Sequence, residues 1–137
     1  MQIRLAVKTP PGQAQGTEAK LRLLLLHKLK RPDATYINEA ADTFYWVIET
    51  DVRRYMKISK NVTMFQLMAG GVIDQMRKRE WVKRMGSIID SDIDTVEAML
   101  KETEVTILKV ASADEKLEGE TLTFWEKVKK TFKRLGA

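Results

Sequence analysis

The sequence predicts an α+β fold, a ferredoxin-like βαββαβ sandwich that carries an additional C-terminal helix. Four segments have the alternation or the β-branched content of strands, and helix-forming segments separate the first strand from the second and the third from the fourth. At 137 residues the chain has the length of one domain and can bury a core without a metal or a disulfide. We therefore expect residues 1-122 to form an α+β domain, with residues 123-137 as an amphipathic cationic helix docked on that domain.

The first element is a strand, because apolar and polar side chains alternate in QIRLAVK, residues 2-8. A loop rich in proline and glycine follows. Thr17 then has the side chain of a helix cap, and the leucine-rich helix that follows it ends before Pro32.

Two strands and a turn are predicted by ATYINEAADTFYWVIET, with the strands near residues 34-40 and 43-50 and the turn near Asp42. In the second of these strands Phe44, Trp46 and Ile48 share one face. Residues 51-60 fit either a continued strand or the start of a helix.

A long helix is expected to begin at Asn61, whose side chain suits a cap. One helical face carries the apolar residues expected in the core: Phe65, Met68, Ala69, Val72, Ile73 and Met76. Gly86 is a natural stop for the helical segment.

A short helix and a last strand complete the domain. In SDIDTVEAMLKE, Asp94 and Glu97 have the spacing of a capping box. TEVTILKVA then predicts a strand near residues 103-110 from its β-branched content.

Charge is distributed unevenly along the chain, whose net charge is +5. Residues 1-88 hold 16 Lys and Arg against 8 Asp and Glu, residues 89-122 hold 3 against 10, and residues 123-137 hold 5 against 1. Such segregation produces a polar electrostatic field, which can attract an acidic partner or the opposite pole of a second copy.

Several chemistries lack the residues that they need. The chain has no cysteine and one histidine, His27, so thiolate catalysis, Cys-ligated metals and multi-histidine metal sites are excluded. DSDID resembles a calcium loop, but Thr95 and Lys101 stand where an EF-hand needs glycine and glutamate. No phosphate-binding or hydrolase motif is present, so the sequence gives no positive argument for an enzyme and we expect no cofactor and no metal site.

The membrane signals are also weak. The longest apolar run, Leu23 to Leu26, is far shorter than a membrane span, and the N-terminus lacks an apolar run of signal-peptide length. We expect a cytoplasmic protein that is not integral to a membrane, with peripheral membrane contact left open.

A basic patch in MRKREWVKRMG is the first candidate site. Its residues are Arg77, Lys78, Arg79, Trp81, Lys83 and Arg84. Cations neutralise phosphates and an interleaved aromatic ring can stack on a base, which is typical of nucleic-acid binding. The alternative is a solvated helix face with Trp81 turned into the core.

The closing stretch GETLTFWEKVKKTFKRLGA is the second candidate. One side of its predicted helix is apolar, with Phe124, Trp125, Val128, Phe132 and Leu135. The other side is cationic and includes Lys129, Lys130 and Lys133 as further candidates for phosphate contact. The apolar stripe can pack on the protein's own sheet, on a partner or second copy, or on an anionic membrane.

These features favour a binding protein over an enzyme. The first hypothesis is a small protein that contacts nucleic acid through its basic helix patch. The alternative is a protein-interaction or self-assembly module that uses the C-terminal aromatic and cationic helix and the acidic segment 89-122.

Overall fold

A computed structural model of the chain describes residues 1–70 and 74–111, with side chains as far as residue 108. Its elements follow in this order: β1 (Gln2–Lys8), α1 (Ala14–Leu25), β2 (Ala34–Asn38), a 3-10 turn (Glu39–Ala41), β3 (Thr43–Glu49), α2 (Val52–Ala69), α3 (Gln75–Ile89), α4 (Ile93–Glu102) and β4 (Glu104–Ala111). The described residues thus form a mixed α+β fold with four α-helices and a four-stranded antiparallel sheet, which confirms the predicted class. The predicted C-terminal helix and its residues lie outside the described part of the chain.

The sheet has the strand order β2-β3-β1-β4, with each neighbouring pair antiparallel. The connection through α1 joins β1 to β2 across β3, and the connection through α2, α3 and α4 joins β3 to β4 across β1. The register between β1 and β4 shifts by one residue between Leu5 and Arg4. All four strands predicted from the sequence are therefore found in one sheet.

One face of the sheet carries the main hydrophobic core. The side chains of Ile3, Leu5 and Val7 occupy alternate positions in β1 and point to this face with Phe44, Trp46 and Ile48 of β3. All four helices contribute buried side chains to the same cluster. The predicted shared face of β3 is therefore correct, and all four helices pack on the same side of the sheet.

The opposite face carries a smaller cluster. Ala6, Tyr45 and Val47 are its buried members, and Ala34, Tyr36 and Leu108 pack against them. The rings of Tyr36 and Tyr45 are stacked, with centroids 5.7 Å apart.

Two predicted helix starts are wrong, because each helix begins earlier. Thr17 lies inside α1 and is buried, and its backbone N–H already donates to the carbonyl of Gln13. Residues 52–60 are helical rather than extended, and the Asp51 side chain caps α2 by accepting from the N–H of Arg54. Asn61 is therefore in the middle of that helix, where its amide donates to the carbonyl of Leu25.

The predicted single stripe through residue 76 is interrupted. Phe65 and Met68 are buried as expected, but Met76 is 74% exposed. The predicted stripe residues Val72 and Ile73 lie outside the described part of the chain. The chain leaves α2 after Ala69 and begins α3 from an Asp74 cap, so the rotational phase of the two helices is independent. Gly86 does not end a helix; α3 continues past it to Ile89.

The helix predicted in SDIDTVEAMLKE is present as α4, but its cap is Asp92 rather than Asp94. The Asp92 side chain accepts from the N–H of Thr95 at 2.7 Å, and Asp94 lies in the first turn. Among the described residues, no three His, Asp or Glu side chains converge as a metal site. None of the described helices has both the length and the apolar character that crossing a membrane requires.

Candidate nucleic-acid interface

The predicted basic patch lies on α3, whose first turn is capped by the Asp74 side chain. Arg77, Arg79, Lys83 and Arg84 are exposed and Lys78 is half-buried. The cations are therefore accessible to a partner, as the sequence suggested. Lys129, Lys130 and Lys133 lie outside the described residues, as do the five residues of the predicted C-terminal stripe.

Trp81 has a different environment from that of its charged neighbours. Its side chain is half-buried and packs against the main hydrophobic core. Val82 and Met85, from the same face of α3, are buried in that core. This packing limits the ring surface that a base could cover, and it favours the alternative reading in which Trp81 belongs to the core.

Carboxylates of α4 oppose one side of the patch. A groove of about 350 Å³ is lined by Lys78 and Arg79 together with Asp94 and Glu97. A second groove, of about 920 Å³, is lined by Arg79 and Lys83 with Asp90, Asp92 and Asp94. Phosphate groups entering these grooves would meet like charges, which raise the free energy of binding.

Asp92 remains ionised in this setting. Hydrogen bonds from the side chain and the backbone N–H of Thr95 hold the pKa of the Asp92 carboxyl below its ordinary value. The groove beside Lys83 therefore keeps a fixed negative charge at neutral pH.

Arg77 and Arg84 lie away from the carboxylates of α4, although Glu80 shares their face of α3. Neither residue lines the two grooves shared with α4. They are seven residues apart, so their side chains leave the same face of α3 at positions about 10 Å apart along the helix axis. This pair is the part of the predicted site that is best placed to contact phosphates.

A second basic surface was not predicted. Arg53, Arg54, Lys57 and Lys60 are all exposed on α2, and within the described residues none of them forms an ion pair. Residues 53, 57 and 60 follow i, i+4, i+7 spacing and so share one helical face. The sequence signal was RRYMKISK, and it was missed because residues 51-60 were left unassigned between strand and helix.

The loop after α1 extends this surface. Lys28 and Arg31 are exposed in the loop. The amide of Asn61 holds the end of α1 by donating to Leu25 at 2.9 Å, and Lys30 Nζ donates to the carbonyl of Glu49 at 2.6 Å. The first contact holds the start of the loop beside the middle of α2, and the second holds Lys30 at the end of β3, which leads directly into α2. We call Arg53, Arg54, Lys57, Lys60, Lys28 and Arg31 the α2 basic surface.

A groove of about 880 Å³ adjoins the loop. Its lining includes Leu23 and Ile37, which are 45% and 38% exposed, together with Lys28 and Arg31. Arg22 also lines the groove, but Glu18 holds its guanidinium. A groove lined by both apolar and cationic side chains can accommodate a flat, weakly polar group that is joined to an anion.

No protein-family model, curated protein or solved structure matches this chain. The function must therefore be argued from the surfaces themselves.

Proposed function

We propose that this protein binds nucleic acid through its phosphate backbone, using the α2 basic surface together with Arg77 and Arg84 of α3. The observation that carries the proposal is the run of exposed cations on one face of α2 without a carboxylate partner among the described residues. Such contacts would bind phosphates with little dependence on base sequence.

The cations of α2 lower the stability of the helix by mutual repulsion, and this supports a functional role for them. Arg53 and Lys57 are at i, i+4, and Lys57 and Lys60 are at i, i+3, so each pair brings like charges together on a helix surface. Like-charged pairs at these spacings destabilise a helix by a few tenths of a kcal/mol each. A bound polyanion would reduce this repulsion. If the sequence served only the stability of the helix, an acidic residue would be favoured among these cations.

The apolar groove beside the loop favours single-stranded over duplex ligands. Unpaired bases can rest on the exposed side chains of Leu23 and Ile37 while the phosphates meet Lys28 and Arg31. In a duplex the bases are stacked inside and this groove would contribute less.

The experiment is a salt titration of binding to a fluorescent single-stranded oligonucleotide. We expect affinity to fall steeply with salt concentration, since each phosphate contact on a single strand contributes about 0.7 to the slope of log K against log salt. Arg53→Gln with Lys57→Gln should lower the slope by about 1.4, and Lys8→Gln with Lys101→Gln, a matched loss of two exposed charges, should leave it unchanged. Absence of salt-dependent binding by the unaltered chain would contradict the proposal.

A protein-interaction module is the second candidate, and a separate observation favours it. Val52 and Met56 are 62% and 65% exposed beside the cations of α2. Exposed apolar side chains within a basic face suit an acidic protein partner with its own apolar residues. An acidic peptide whose binding is weakened by Arg53→Gln, and which an oligonucleotide does not displace, would favour this candidate over the first.

We further propose that the architecture is of the ferredoxin-like kind, with three helices in the second crossover where that arrangement has one. Two connections that each skip one strand of an antiparallel sheet support this assignment.

A further inference from the structure

Strand β2 forms one edge of the sheet, and within the described residues it pairs with β3 alone. The backbone N–H and C=O groups along its outer side are therefore open to a further strand. Natural edge strands are often protected from such pairing by a lysine or a proline within the strand. The sequence of β2 is ATYIN, which contains neither a charged residue nor a proline.

The side chains of β2 divide between the two faces of the sheet. Thr35 and Ile37 face α1, because the Thr35 hydroxyl accepts from the guanidinium of Arg22 at 3.2 Å and Ile37 lines the groove that α1 borders. Tyr36 points to the other face, where its ring stacks on that of Tyr45. Ile37 is 38% exposed, so an apolar side chain at the edge of the sheet would lose contact with water if another strand were added.

The charges at the two ends of β2 have opposite signs. Arg31 precedes the strand and Glu39 follows it, and both are exposed without an ion pair among the described residues. Asp33 lies at the first end too, but its carboxylate already accepts from Lys30 and from the N–H of Glu49. A second copy of the strand in antiparallel orientation would therefore bring the basic end of each copy to the acidic end of the other.

We propose that β2 pairs antiparallel with β2 of a second copy of this chain, about a two-fold axis at Tyr36, so that two four-stranded sheets join into one sheet of eight strands. In this register Thr35 lies opposite Ile37 of the second copy, and Ala34 lies opposite Asn38. The β-branched pairs stabilise the two strands, and no like charges meet within the five paired residues. The two-fold axis makes the contact self-complementary and closed.

The flanking charges favour this orientation over a parallel one. In the antiparallel register Arg31 and Glu39 of the second copy are diagonal neighbours, about 7–8 Å apart at their Cα atoms and within reach of long side chains. A parallel alignment would bring Arg31 beside Arg31 and Glu39 beside Glu39, and such like-charge contacts disfavour association. Because β2 has five residues, about 17 Å of strand, the interface is small and the dimer should depend on concentration.

The groove beside β2 would remain open in the dimer. An added strand lies in the plane of the sheet, whereas the groove lies on the side of the sheet that carries α1. Its lining would continue into Thr35 and Ile37 of the second copy, with the loop after α1 of each copy at opposite ends. A longer surface for a single strand would result; this consequence rests on the function proposed above, whereas the pairing itself does not.

Two charge reversals test the pairing in the absence of nucleic acid. Sedimentation equilibrium of the unaltered full-length chain should show a dimer that increases with concentration. Arg31→Glu and Glu39→Arg should each lose the dimer at concentrations where the unaltered chain forms it, since like charges then meet at both contacts. A mixture of the two variants should dimerise again, because opposite charges meet at both contacts in the mixed dimer. An unaltered chain that stays monomeric, or a mixture that stays monomeric, would overturn the proposal.

A second pair of variants and an NMR measurement locate the contact. Ile37→Lys should abolish the dimer, because it places a charge on the paired edge, and Leu67→Lys on α2 should leave it intact, since Leu67 is 39% exposed and lies away from the edge. In a sample that mixes isotope-labelled and unlabelled chains, the methyl groups of Ile37 in one chain should show Overhauser contacts to those of Thr35 in the other.

Three results of these measurements would contradict the pairing. Equal dimerisation of Ile37→Lys and Leu67→Lys would show that the contact does not involve β2. A dimer without Overhauser contacts between Ile37 and Thr35 of different chains would place the interface elsewhere. A chain that stays monomeric while an added extended peptide shifts the Ile37 methyl signals would show that the edge accepts a strand of another protein.

Discussion

Gly86 lies inside α3 where the turn after the helix folds back against it. The N–H groups of Asp90 and Ser91 both donate to the Gly86 carbonyl, and Asp90 takes a left-handed backbone conformation with φ of 52°. A Cβ at Gly86 would lie 2.6 Å from the backbone carbonyl oxygen of Ser91. Glycine is therefore required by the close approach of two backbone segments.

Gly86→Ala should destabilise the protein even though alanine is the better helix former by about 1 kcal/mol. The Ser91 carbonyl belongs to a turn held by two hydrogen bonds, so it cannot move away from an added Cβ without a loss of stability. Gly16 in α1 is the matched control, because a Cβ there meets nothing within 4 Å. Gly16→Ala should stabilise by roughly 0.5–1 kcal/mol, as measured by urea unfolding. Stabilisation by both changes would show that the α3–α4 turn is not close to Gly86.

Asp33 holds together the strand end and the loop that supports Lys28 and Arg31. Its carboxylate accepts from the N–H of Glu49 at 2.6 Å and from Lys30 Nζ at 3.0 Å. Partial burial alone would raise the pKa of Asp33, but the hydrogen bond from Glu49 and the hydrogen bond and charge of Lys30 hold it below the ordinary value of 3.8.

The lowered pKa determines how stability depends on pH. A carboxyl whose pKa is lower in the folded state contributes stability above its unfolded value, and that contribution is lost as the pH falls through the folded value. Asp33→Asn should therefore be less stable than the unaltered chain at pH 7, with the difference shrinking below about pH 3.8. Urea unfolding at pH 7 and at pH 3 measures this, with Glu102→Gln at the exposed end of α4 as the control. A difference that persists unchanged at pH 3 would contradict the ionic role.

At the scale of the element, α2 and α3 show that a hydrophobic period predicts which residues are buried within one helix but not across two helices. Both Phe65 and Met76 fell on one predicted stripe, but Phe65 is fully buried and Met76 is 74% exposed. The period holds along one helix axis and fails across the junction, because a second helix starts with a new axis and its own cap at Asp74. The amino-acid pattern alone does not reveal where one axis ends.

Phe65→Ala should cost about 3–5 kcal/mol of unfolding free energy, since it leaves a cavity in the centre of the core. Met76→Ala should cost less than about 0.5 kcal/mol, because it removes an exposed side chain. Chemical denaturation of both variants measures the difference. A large loss for Met76→Ala would indicate that Met76 is buried in solution.

At the scale of the whole molecule, the packing of α4 against α3 separates cations that share a groove with carboxylates from cations that do not. Arg79 and Lys83 face carboxylates across the shared grooves, whereas Arg77 and Arg84 do not line them. The four residues are equivalent in sequence, since all lie in one basic run. Only the position of the acidic turn between the helices distinguishes the two pairs.

Arg77→Gln with Arg84→Gln should therefore weaken oligonucleotide binding more than Arg79→Gln with Lys83→Gln, although both variants lose two charges. We expect the first pair to lower the salt slope by about 1.4, and the second to lower it by much less. Combined with Arg53→Gln and Lys57→Gln, the first pair should reduce binding further, as separate contacts to one strand would. Equal effects of the two α3 pairs would show that net charge rather than position governs binding.

By itself, the sequence determined the class of this fold, its four strands and the side chains of β3 that enter the core. These follow from local physics, because alternation along a strand and the period of a helix depend on neighbours a few residues away. The exposure of cations on α3 was predictable for the same reason. The start of α1 at Ala14 and the Asp51 cap of α2 were harder to predict from the sequence. Several polar residues near each start could serve as the cap, and tertiary packing determines which position begins the helix.

Only the tertiary structure determines which cations lie beside carboxylates and which segments pack against each other. The carboxylates of α4 line grooves with the cations of α3 because the turn at Asp90 folds one helix back on the other. The end of α1 is joined to α2 through Asn61 and Leu25, residues far apart in the chain. Gly86 is required by the close approach of the Ser91 backbone, which the helical pattern of the sequence does not predict. Each of these features depends on the free energy of contacts between distant segments, which a local pattern in the sequence does not contain.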